Sequence, residues 1–415
     1  MKKMSNQKKL LIIKILLFVF AFVLAVMPSS ASRNLEVNSR VIVEMLGIDK
    51  SGDGLEITAQ YAMPLAEEGA TSKSKVSVKG RTVTEAVDEL HSALGRRVEL
   101  GHCSIIIVGK EFDPKVLGTL VTASDITSNV YLGAAENKAS ELIGKITDFM
   151  KQTGATDADF IAYSAKKGQV ATTTLLNFMS ALGSESKSAF MPLVDILGEK
   201  GEEQSGSSGS GSQSGQSGQS GQSGQSGQSG QSGQSGQSGQ SGGTATGATS
   251  SGMALKKLAL FGREGRRGIL DEDAMRGVAW ISSPVEKGVV VTEVEYDGEY
   301  YDNVSARLLN KNSGVKADAK NKTATVELRV TLEPNCSTFN KLMMLSDGDA
   351  REAVRQGYAK TIEKELKAAF EGAKEYDCDP YFIKRCLYRF SPDEYDEDLD
   401  LDDIRVEYKI KVDIQ

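Results

Sequence analysis

The sequence predicts α/β and α+β architecture: two globular halves, each with a mixed sheet and flanking helices, joined by a long disordered linker. The linker is the clearest feature, because residues 204–252 are dominated by Ser, Gly and Gln and contain nine consecutive Ser-Gly-Gln triplets. Such a composition cannot bury enough apolar surface to offset its ordering entropy. Strand and helix patterns alternate before it, whereas strands surround one long helix after it. The predicted regions are therefore 32–203, with room for two subdomains, and 253–415.

Residues 1–31 have the pattern of a secretory signal. Lys2, Lys3, Lys8 and Lys9 form a positive start, an uncharged apolar run follows at 15–27, and Ser29-Ser30-Ala31 provides the small residues that a signal peptidase recognises. The run is shorter than the roughly 20 residues that a spanning helix needs. A cleaved signal and a retained anchor both remain open, and either one places the rest of the chain outside the cytoplasm.

The charge balance excludes some classes of partner. Removal of residues 1–31 takes five of the 49 basic residues and none of the 56 acidic ones, which leaves a net charge of about −12. A nucleic-acid binder needs basic surface to displace counterions, and docking on anionic headgroups needs a basic face. We therefore expect neither.

The chain has four cysteines: Cys103, Cys336, Cys378 and Cys386. Export permits disulfides, so a disulfide between Cys336 and either Cys378 or Cys386 is one expectation. Buried free thiols are an equally open alternative. The absence of a Cys-x-x-Cys motif gives no indication of a metal knuckle or a redox site.

The first half begins with two β-rich runs, 40–49 and 55–63, joined by a Gly-containing hairpin signal. Thr82 and Glu85 form a capping box, and apolar residues from Val83 to Leu94 follow at helical spacing. Later elements are a buried strand at 103–108, a helix from 113, a strand at 130–134, helices at 139–150 and 175–182, and a strand at 192–197.

The second half starts with a hairpin-like segment at 255–261 and a basic, glycine-rich turn, GREGRRG, at 262–268. A short helix at 271–279 and strands at 288–296, 304–309 and 323–332 follow. A long helix is predicted at 349–374 from the near four-residue spacing of its apolar residues. Clean alternation at 404–414 predicts the final strand.

Three segments carry a family resemblance. The first two are VIVEMLGID (41–49) and TVTEAVDELHSALGRRVELGHCSIIIVGKEF (82–112), and the third is LALFGREGRRGILDEDAMRGVAWI (258–281). In order and content they resemble the Ger(x)C family, the C subunits of spore nutrient-germinant receptors. The matching positions are Arg96, Arg97, Leu100, Gly101, His102 and Gly109, then Phe261, Gly268, Arg276, Gly277 and Trp280.

The resemblance implies an exported, non-catalytic receptor subunit. It would lie on the outer face of the cytoplasmic membrane, which is the inner membrane of the spore. It implies assembly with membrane-embedded A-type and B-type subunits and a role in nutrient-triggered germination, without a cofactor. The alternative is a free extracytoplasmic binding or adhesion module of the same fold. Family members typically carry a lipidated cysteine after the signal. No cysteine precedes Cys103 here, so lipid anchoring is not expected.

Candidate contact residues are the basic pairs Arg96-Arg97 and Arg266-Arg267. The competing interpretation is that both pairs are structural. Arg96-Arg97 would then complement the dipole of the helix that they follow, and Arg266-Arg267 would belong to a basic turn. The motif residues Gly101, His102, Gly109, Phe261, Gly277 and Trp280 are expected to be structural. Trp280 in particular is expected in the core, with an exposed partner anchor as the alternative. It would share a face with Val278 if the chain is extended there.

No catalytic, cofactor or metal site is predicted. GREGRRG lacks the Lys-Ser/Thr ending of a phosphate-binding loop. The acidic run at 393–403 resembles the start of a calcium loop, but Asp403 replaces the required glycine and Lys409 replaces the closing glutamate. A solvated acidic loop and a weak calcium site are both retained.

Overall fold

The computed structural model describes residues 14–18, 20, 40–64, 71–153, 160–167, 170–197, 252–283, 288–334 and 348–415. Most of the predicted signal segment, the predicted linker up to residue 251 and Cys336 therefore lie outside the described residues. Residues 14–18 are helical. Among the helices within these ranges, none is both long and apolar enough to cross a membrane.

The first sheet has nine strands among the described residues. They are β1 (Arg40–Ser51), β2 (Gly54–Pro64), β3 (Thr71–Gly80), β4 (Arg97–Glu99), β5 (Ile105–Val108), β6 (Tyr131–Ala134), β7 (Ser188–Leu197), β8 (Gly252–Gly262) and β9 (Gly265–Leu270). Their order is β3-β2-β1-β5-β6-β7-β8-β9, and β4 also pairs with β1. The β1, β5, β6 and β7 strands run parallel, while β2 and β3 add an antiparallel edge. This is the mixed sheet that the sequence predicts.

Five helices of the described chain accompany this sheet: α1 (Val83–Leu94), α2 (Lys115–Ala123), α3 (Ala139–Thr153), α4 (Phe160–Lys166) and α5 (Leu175–Gly183). The predicted cap of α1 is confirmed, because the Thr82 hydroxyl accepts a 3.2 Å hydrogen bond from the Glu85 amide. The α1 face that packs on the sheet carries Val83, Ala86, Val87 and Leu90.

The strand β1 lies at the centre of the first sheet, between antiparallel β2 and parallel β5. Residues 45–49 are all buried, as expected of a strand covered on both faces. Helix α3 packs so closely that a Cβ at Gly47 would lie 2.7 Å from Cδ1 of Ile143. Glycine at this position lets the helix lie directly on the strand.

The second sheet has the order β10-β11-β12-β13, formed by β10 (Gly288–Tyr296), β11 (Glu299–Asp318), β12 (Thr323–Pro334) and β13 (Arg405–Ile414). Only the β12–β13 pairing is parallel among these. Three helices belong to this part: α6 (Glu272–Ser282), α7 (Gly348–Lys374) and α8 (Ile383–Phe390). The predicted stripe of α7 is confirmed as its buried face, with Val354, Tyr358, Ile362, Leu366 and Phe370.

The hairpin β8–β9 differs from the expectation, because it belongs to the first sheet and not to the second half's own sheet. Residues 258–261 of β8 are all buried, on both faces of the strand. A strand of this kind needs a neighbour on each side and cover on both faces. It finds the neighbours in β7 and β9, so the boundary between the sheets lies after residue 270.

Three smaller expectations were wrong in detail. The strand predicted at 103–108 begins at Ile105, because the Cys103 amide bonds to the Leu100 carbonyl and closes a turn. The helix predicted at 271–279 continues through Trp280 and ends at Ser282. The strand predicted at 304–309 is part of β11, which starts earlier after a tight turn at Asp297-Gly298, where both residues have positive φ. An Asp-Gly pair favours this type of hairpin turn.

Candidate functional site

The end of β1 and the end of β5 form the first family-motif site. Asp49, only 4% exposed, accepts hydrogen bonds from the amides of Ala139 (2.7 Å) and Ser140 (2.8 Å) at the start of α3. A carboxylate at this place complements the positive end of the helix. A Cβ at Gly109 would lie 2.1 Å from Oδ1 of Asp49. Because Gly109 has no side chain, it leaves room for the Asp49 carboxylate that caps α3.

The turn Gly101–Cys103 lies at the opposite end of β5, immediately before the strand begins. The Leu100 amide donates to Oδ1 of Asp125 at 3.1 Å, which fixes the chain before the turn. His102 is exposed and Cys103 is buried, so the two side chains lie in different environments. Burial raises the pKa of the Cys103 thiol to about 12. That thiol stays protonated and is not a nucleophile at neutral pH.

The first basic pair follows the end of α1. Gly95 has a left-handed φ of 58°, which ends the helix and directs the chain into β4. Arg97 is exposed and lies 3.5 Å from Glu99, which also pairs with Arg40 at 2.9 Å. Arg96 is exposed at the bend between α1 and β4. Both guanidinium groups of the pair are therefore accessible from solvent.

Arg266 of the second basic pair is used inside the fold. Its two terminal nitrogens donate to the carbonyls of Ala135 and Glu136, each at 2.8 Å. Partial burial lowers the pKa of this guanidinium, although the Glu136 carboxylate opposes that effect. Arg266 thus ties the β8–β9 hairpin to the loop that follows β6.

Arg267 connects the same hairpin to the turn after α7. It donates to the carbonyl of Asp377 and, at 2.9 Å, to the carboxylate of that residue. A Cβ at Gly262 would collide with its guanidinium, and one at Gly268 would lie 2.4 Å from the Tyr376 ring. The glycines of GREGRRG therefore permit close packing within the protein, and the segment is a β-hairpin.

The crossing of α6 and α7 holds the last motif residues. A Cβ at Gly277 would lie 2.0 Å from the Glu365 carbonyl oxygen, so only glycine allows this approach. Trp280 is 5% exposed, which confirms its expected burial. Its Nε1–H donates to Oε2 of Glu365 at 2.6 Å, and Arg276 lies 3.4 Å from the other carboxylate oxygen. Burial raises the pKa of Glu365, against the lowering effects of Trp280 and Arg276.

Phe261 has a purely apolar environment in the core of the first sheet. It is fully buried, and its ring meets that of Phe178 edge-on with centroids 5.5 Å apart. This T-shaped contact joins β8 to α5, which come from opposite sides of the Ser-Gly-Gln segment. The motif phenylalanine is therefore part of the packing between the two parts of the chain.

A buried polar cluster at the first turn of α8 was missed by sequence reasoning. Asp379 is 1% exposed, and its Oδ2 accepts hydrogen bonds from the Ser186 hydroxyl and the Lys384 amide, both at 2.8 Å. The Asp379 amide donates to the Ser188 hydroxyl at 2.9 Å. Desolvation raises the pKa of the Asp379 carboxyl, although these donors oppose it. The partners lie 193 positions apart, so local pattern contains no signal for the pair.

The remaining candidates have local roles. Asp400 caps a short turn by accepting from the Asp402 amide at 3.1 Å. Within the ranges that the structure covers, no group of three His, Cys, Asp or Glu side chains is placed to hold a metal ion. Cys103, Cys378 and Cys386 are free thiols.

Comparison with known proteins identifies the family. Residues 33–196 match the family model described as the spore germination protein N-terminal domain. Residues 256–415 match the model described as Spore germination B3/GerAC like, C-terminal. The chain belongs to the Ger(x)C family. All three segments that suggested the resemblance lie within the matched regions of this Ger(x)C protein.

One solved relative is the crystal structure of the GerBC protein. It is 14% identical to this Ger(x)C protein, with a TM-score of 0.46, and the match covers 89% of this chain and 96% of that one. No curated protein matches the sequence.

Proposed function

We propose that this Ger(x)C protein is the non-catalytic C-type subunit of a spore germinant receptor and is needed for nutrient-triggered germination. The supporting observation is that both family models match, in order, and together span the chain on either side of the Ser-Gly-Gln segment. A protein that had only borrowed one module would match one of them.

The family-motif residues support a scaffold role. The Asp49 carboxylate, the Arg266 guanidinium and the Trp280 indole each bind another part of the same chain. Gly109 and Gly277 provide clearance for these contacts. These contacts stabilise the fold and so keep the protein surface in one conformation. A signalling subunit needs such a surface, because its partners must recognise it.

We place the subunit on the outer face of the cytoplasmic membrane, in contact with membrane-embedded A-type and B-type subunits. The apolar side chains of residues 15–18 and 20 support membrane proximity, because each is at least 56% exposed. The exposed pair Arg96-Arg97 remains our candidate for a partner contact.

A deletion strain tests the proposal. We expect its spores to lose germination in response to the nutrients of one receptor, while a nutrient-independent trigger still works. Restoring the gene in trans should restore the response, and the protein should co-purify from spore membranes with A-type and B-type subunits. Normal nutrient germination, with no co-purified receptor subunit, would instead support a free binding or adhesion module.

A further inference from the structure

A cavity of about 250 Å³ lies where α5, β7 and the start of α8 meet. This is just below the range of about 300–1,000 Å³ that is typical of small-molecule pockets. It has room for a ligand of amino-acid size. Asn177 and Ser180 of α5, Phe190 of β7 and Arg385 of α8 are among its lining residues.

Arg385 gives the cavity a positively charged side chain. None of the described residues that line the cavity is acidic, and within the described ranges no carboxylate pairs with this guanidinium. Arg266, Arg267 and Arg276, in contrast, all have carbonyl or carboxylate partners. An unpaired guanidinium beside a cavity suits a carboxylate, which it binds with two parallel hydrogen bonds.

The start of α8 holds Arg385 in a fixed position. Its backbone amide donates to the Ser186 hydroxyl at 3.3 Å, and the preceding Lys384 amide donates to Asp379. The Asp379 carboxylate is buried behind this turn and bonded there. The helix is thus anchored while the Arg385 side chain remains exposed.

Polar groups on the other walls can complete the recognition of a ligand. Thr172 contributes a hydroxyl group and Asn177 an amide, whereas the hydroxyls of Thr173 and Ser282 already donate to the carbonyls of Thr174 and Val278. Asn177 and Ser180 are exposed on α5, and neither side chain has a partner within the part of the chain that the structure describes. Their donors and acceptors are therefore available.

Two aromatic rings form an apolar wall. Phe190 and Phe382 stack with centroids 6.1 Å apart and an interplanar angle of 27°. Phe382 has a left-handed φ of 55°, which is rare for an aromatic residue and strains the backbone. Strain of this kind persists where the surroundings hold a side chain in a particular place, and here it places a ring at the cavity.

We propose that this cavity binds a small carboxylate with an apolar body. Arg385 pairs with the carboxylate, the Asn177 amide and the Ser180 and Thr172 hydroxyls orient it, and Phe190 and Phe382 contact the apolar part. The site goes beyond the proposed receptor role, since it needs only this chain.

Calorimetric titration of the purified full chain tests the site with hydrocinnamate and its neutral amide, hydrocinnamamide. We expect hydrocinnamate to bind at least tenfold more tightly than the amide, because only the acid pairs with Arg385. Arg385→Gln should weaken hydrocinnamate binding at least tenfold. Arg389→Gln is the matched control, one turn further along α8 and also exposed, and should leave binding unchanged.

A second variant separates binding from folding. Ser180→Leu places a larger side chain at the mouth from an exposed helix position, so it should abolish binding and keep the thermal midpoint of the parent. Failure of hydrocinnamate, 
isocaproate and succinate to bind at millimolar concentration would overturn the proposal. Equal binding by the parent, Arg385→Gln and Ser180→Leu would also overturn it. Neither outcome bears on the germination phenotype, so the site and the receptor role fail separately.

Discussion

The indole of Trp280 and the carboxylate of Glu365 are joined by a 2.6 Å hydrogen bond in the interior of the protein, where Glu365 is 7% exposed. The bond connects α6 to α7 near Gly277, where a Cβ would lie 2.0 Å from the Glu365 carbonyl oxygen. A buried carboxylate with a fixed donor gives the crossing a single geometry, since an unpaired charge in this place would be costly.

Replacement of Trp280 by Ala should lower the free energy of unfolding by about 3–5 kcal/mol, because it leaves a large cavity. Trp280→Phe is the matched variant: it keeps most of the packing but removes the donor to Glu365, so we expect a smaller loss of about 1–3 kcal/mol. Urea unfolding followed by circular dichroism measures both.

Fluorescence of the parent protein provides an independent check, since Trp280 is the only tryptophan in the chain. Its emission should be blue-shifted and poorly quenched by iodide. A red, readily quenched emission, with little loss of stability in Trp280→Ala, would contradict burial and favour the partner-anchor alternative.

Gly277→Ala should be destabilising, although Gly→Ala within a helix is ordinarily stabilising by up to about 1 kcal/mol. The new Cβ would lie 2.0 Å from the Glu365 carbonyl oxygen, so α6 and α7 must separate, at a cost of about 1–3 kcal/mol. Gly118→Ala in α2 is the control, because its Cβ would meet only Met179 Cε at an ordinary 3.5 Å. Thermal unfolding should shift in opposite directions for the two variants, and a shift in the same direction would rule out the tight crossing.

Stability should depend on pH through Asp379. Burial raises the pKa of its carboxyl above the ordinary value of 3.8, so the folded state binds this proton more tightly than the unfolded state. The resulting stabilisation is complete below about pH 4 and is lost as pH rises through the folded-state pKa. The stability of the parent relative to Asp379→Asn should therefore fall with rising pH and then level off, as measured by urea unfolding at each pH.

Ser186→Ala tests the cause of that dependence. The Ser186 hydroxyl donates to the ionised carboxylate and so helps to lower its pKa. Without the donor, the decline should extend to higher pH. A flat difference between parent and Asp379→Asn across the range would show that Asp379 keeps the same pKa in both states.

The two arginine pairs should respond differently to mutation. Arg266→Gln loses two hydrogen bonds to carbonyls within the chain and should cost about 1–3 kcal/mol of unfolding free energy. Arg96→Glu with Arg97→Glu changes exposed positions and should alter stability by no more than about 0.5 kcal/mol. If this pair contacts a receptor partner, as we propose, the double variant should reduce nutrient germination and co-purification while folding normally. Normal germination of that strain would remove the pair from the proposed interface.

Replacement of residues 198–251 by about twelve Gly and Ser residues should preserve the fold. The strand β7 has 10 residues and is about 33 Å long, whereas twelve extended residues reach about 40 Å. The shorter loop should raise stability by about 1 kcal/mol, because closure entropy depends only logarithmically on length. Loss of a single cooperative melt in this variant would contradict the sheet order.

Sequence periodicity was most informative for elements whose buried face is determined by residues close together in the sequence. The stripe of α7 and the alternation of β13 follow from residues close in sequence, and both elements appear in the structure. Periodicity did not reveal β3, whose residues Thr71–Gly80 alternate Lys with Ser and Val and owe their order to pairing with β2. Likewise, the apolar residues 258–261 indicated a strand but not which sheet it joins.

The candidate site was less accessible from sequence for the same reason. The motif glycines could be recognised, but their purpose depends on atoms far along the chain, such as Asp49 for Gly109 and Glu365 for Gly277. The link from Ser186 to Asp379 and the cavity beside Arg385 arise only when β7 and α8 meet. The local propensities of residues for helix or strand contain no information about this contact between distant elements.

The neighbouring positions of β7 and β8 in one sheet have a consequence for the covalent chain. The hydrogen bonds of the sheet, and the contact of Phe178 with Phe261, already connect what lies on either side of residues 198–251. A peptide bond cut within that stretch interrupts no described strand pairing. A nicked molecule should therefore keep its shape as two non-covalently associated fragments, and the segment can gain or lose Ser-Gly-Gln triplets without displacing either sheet.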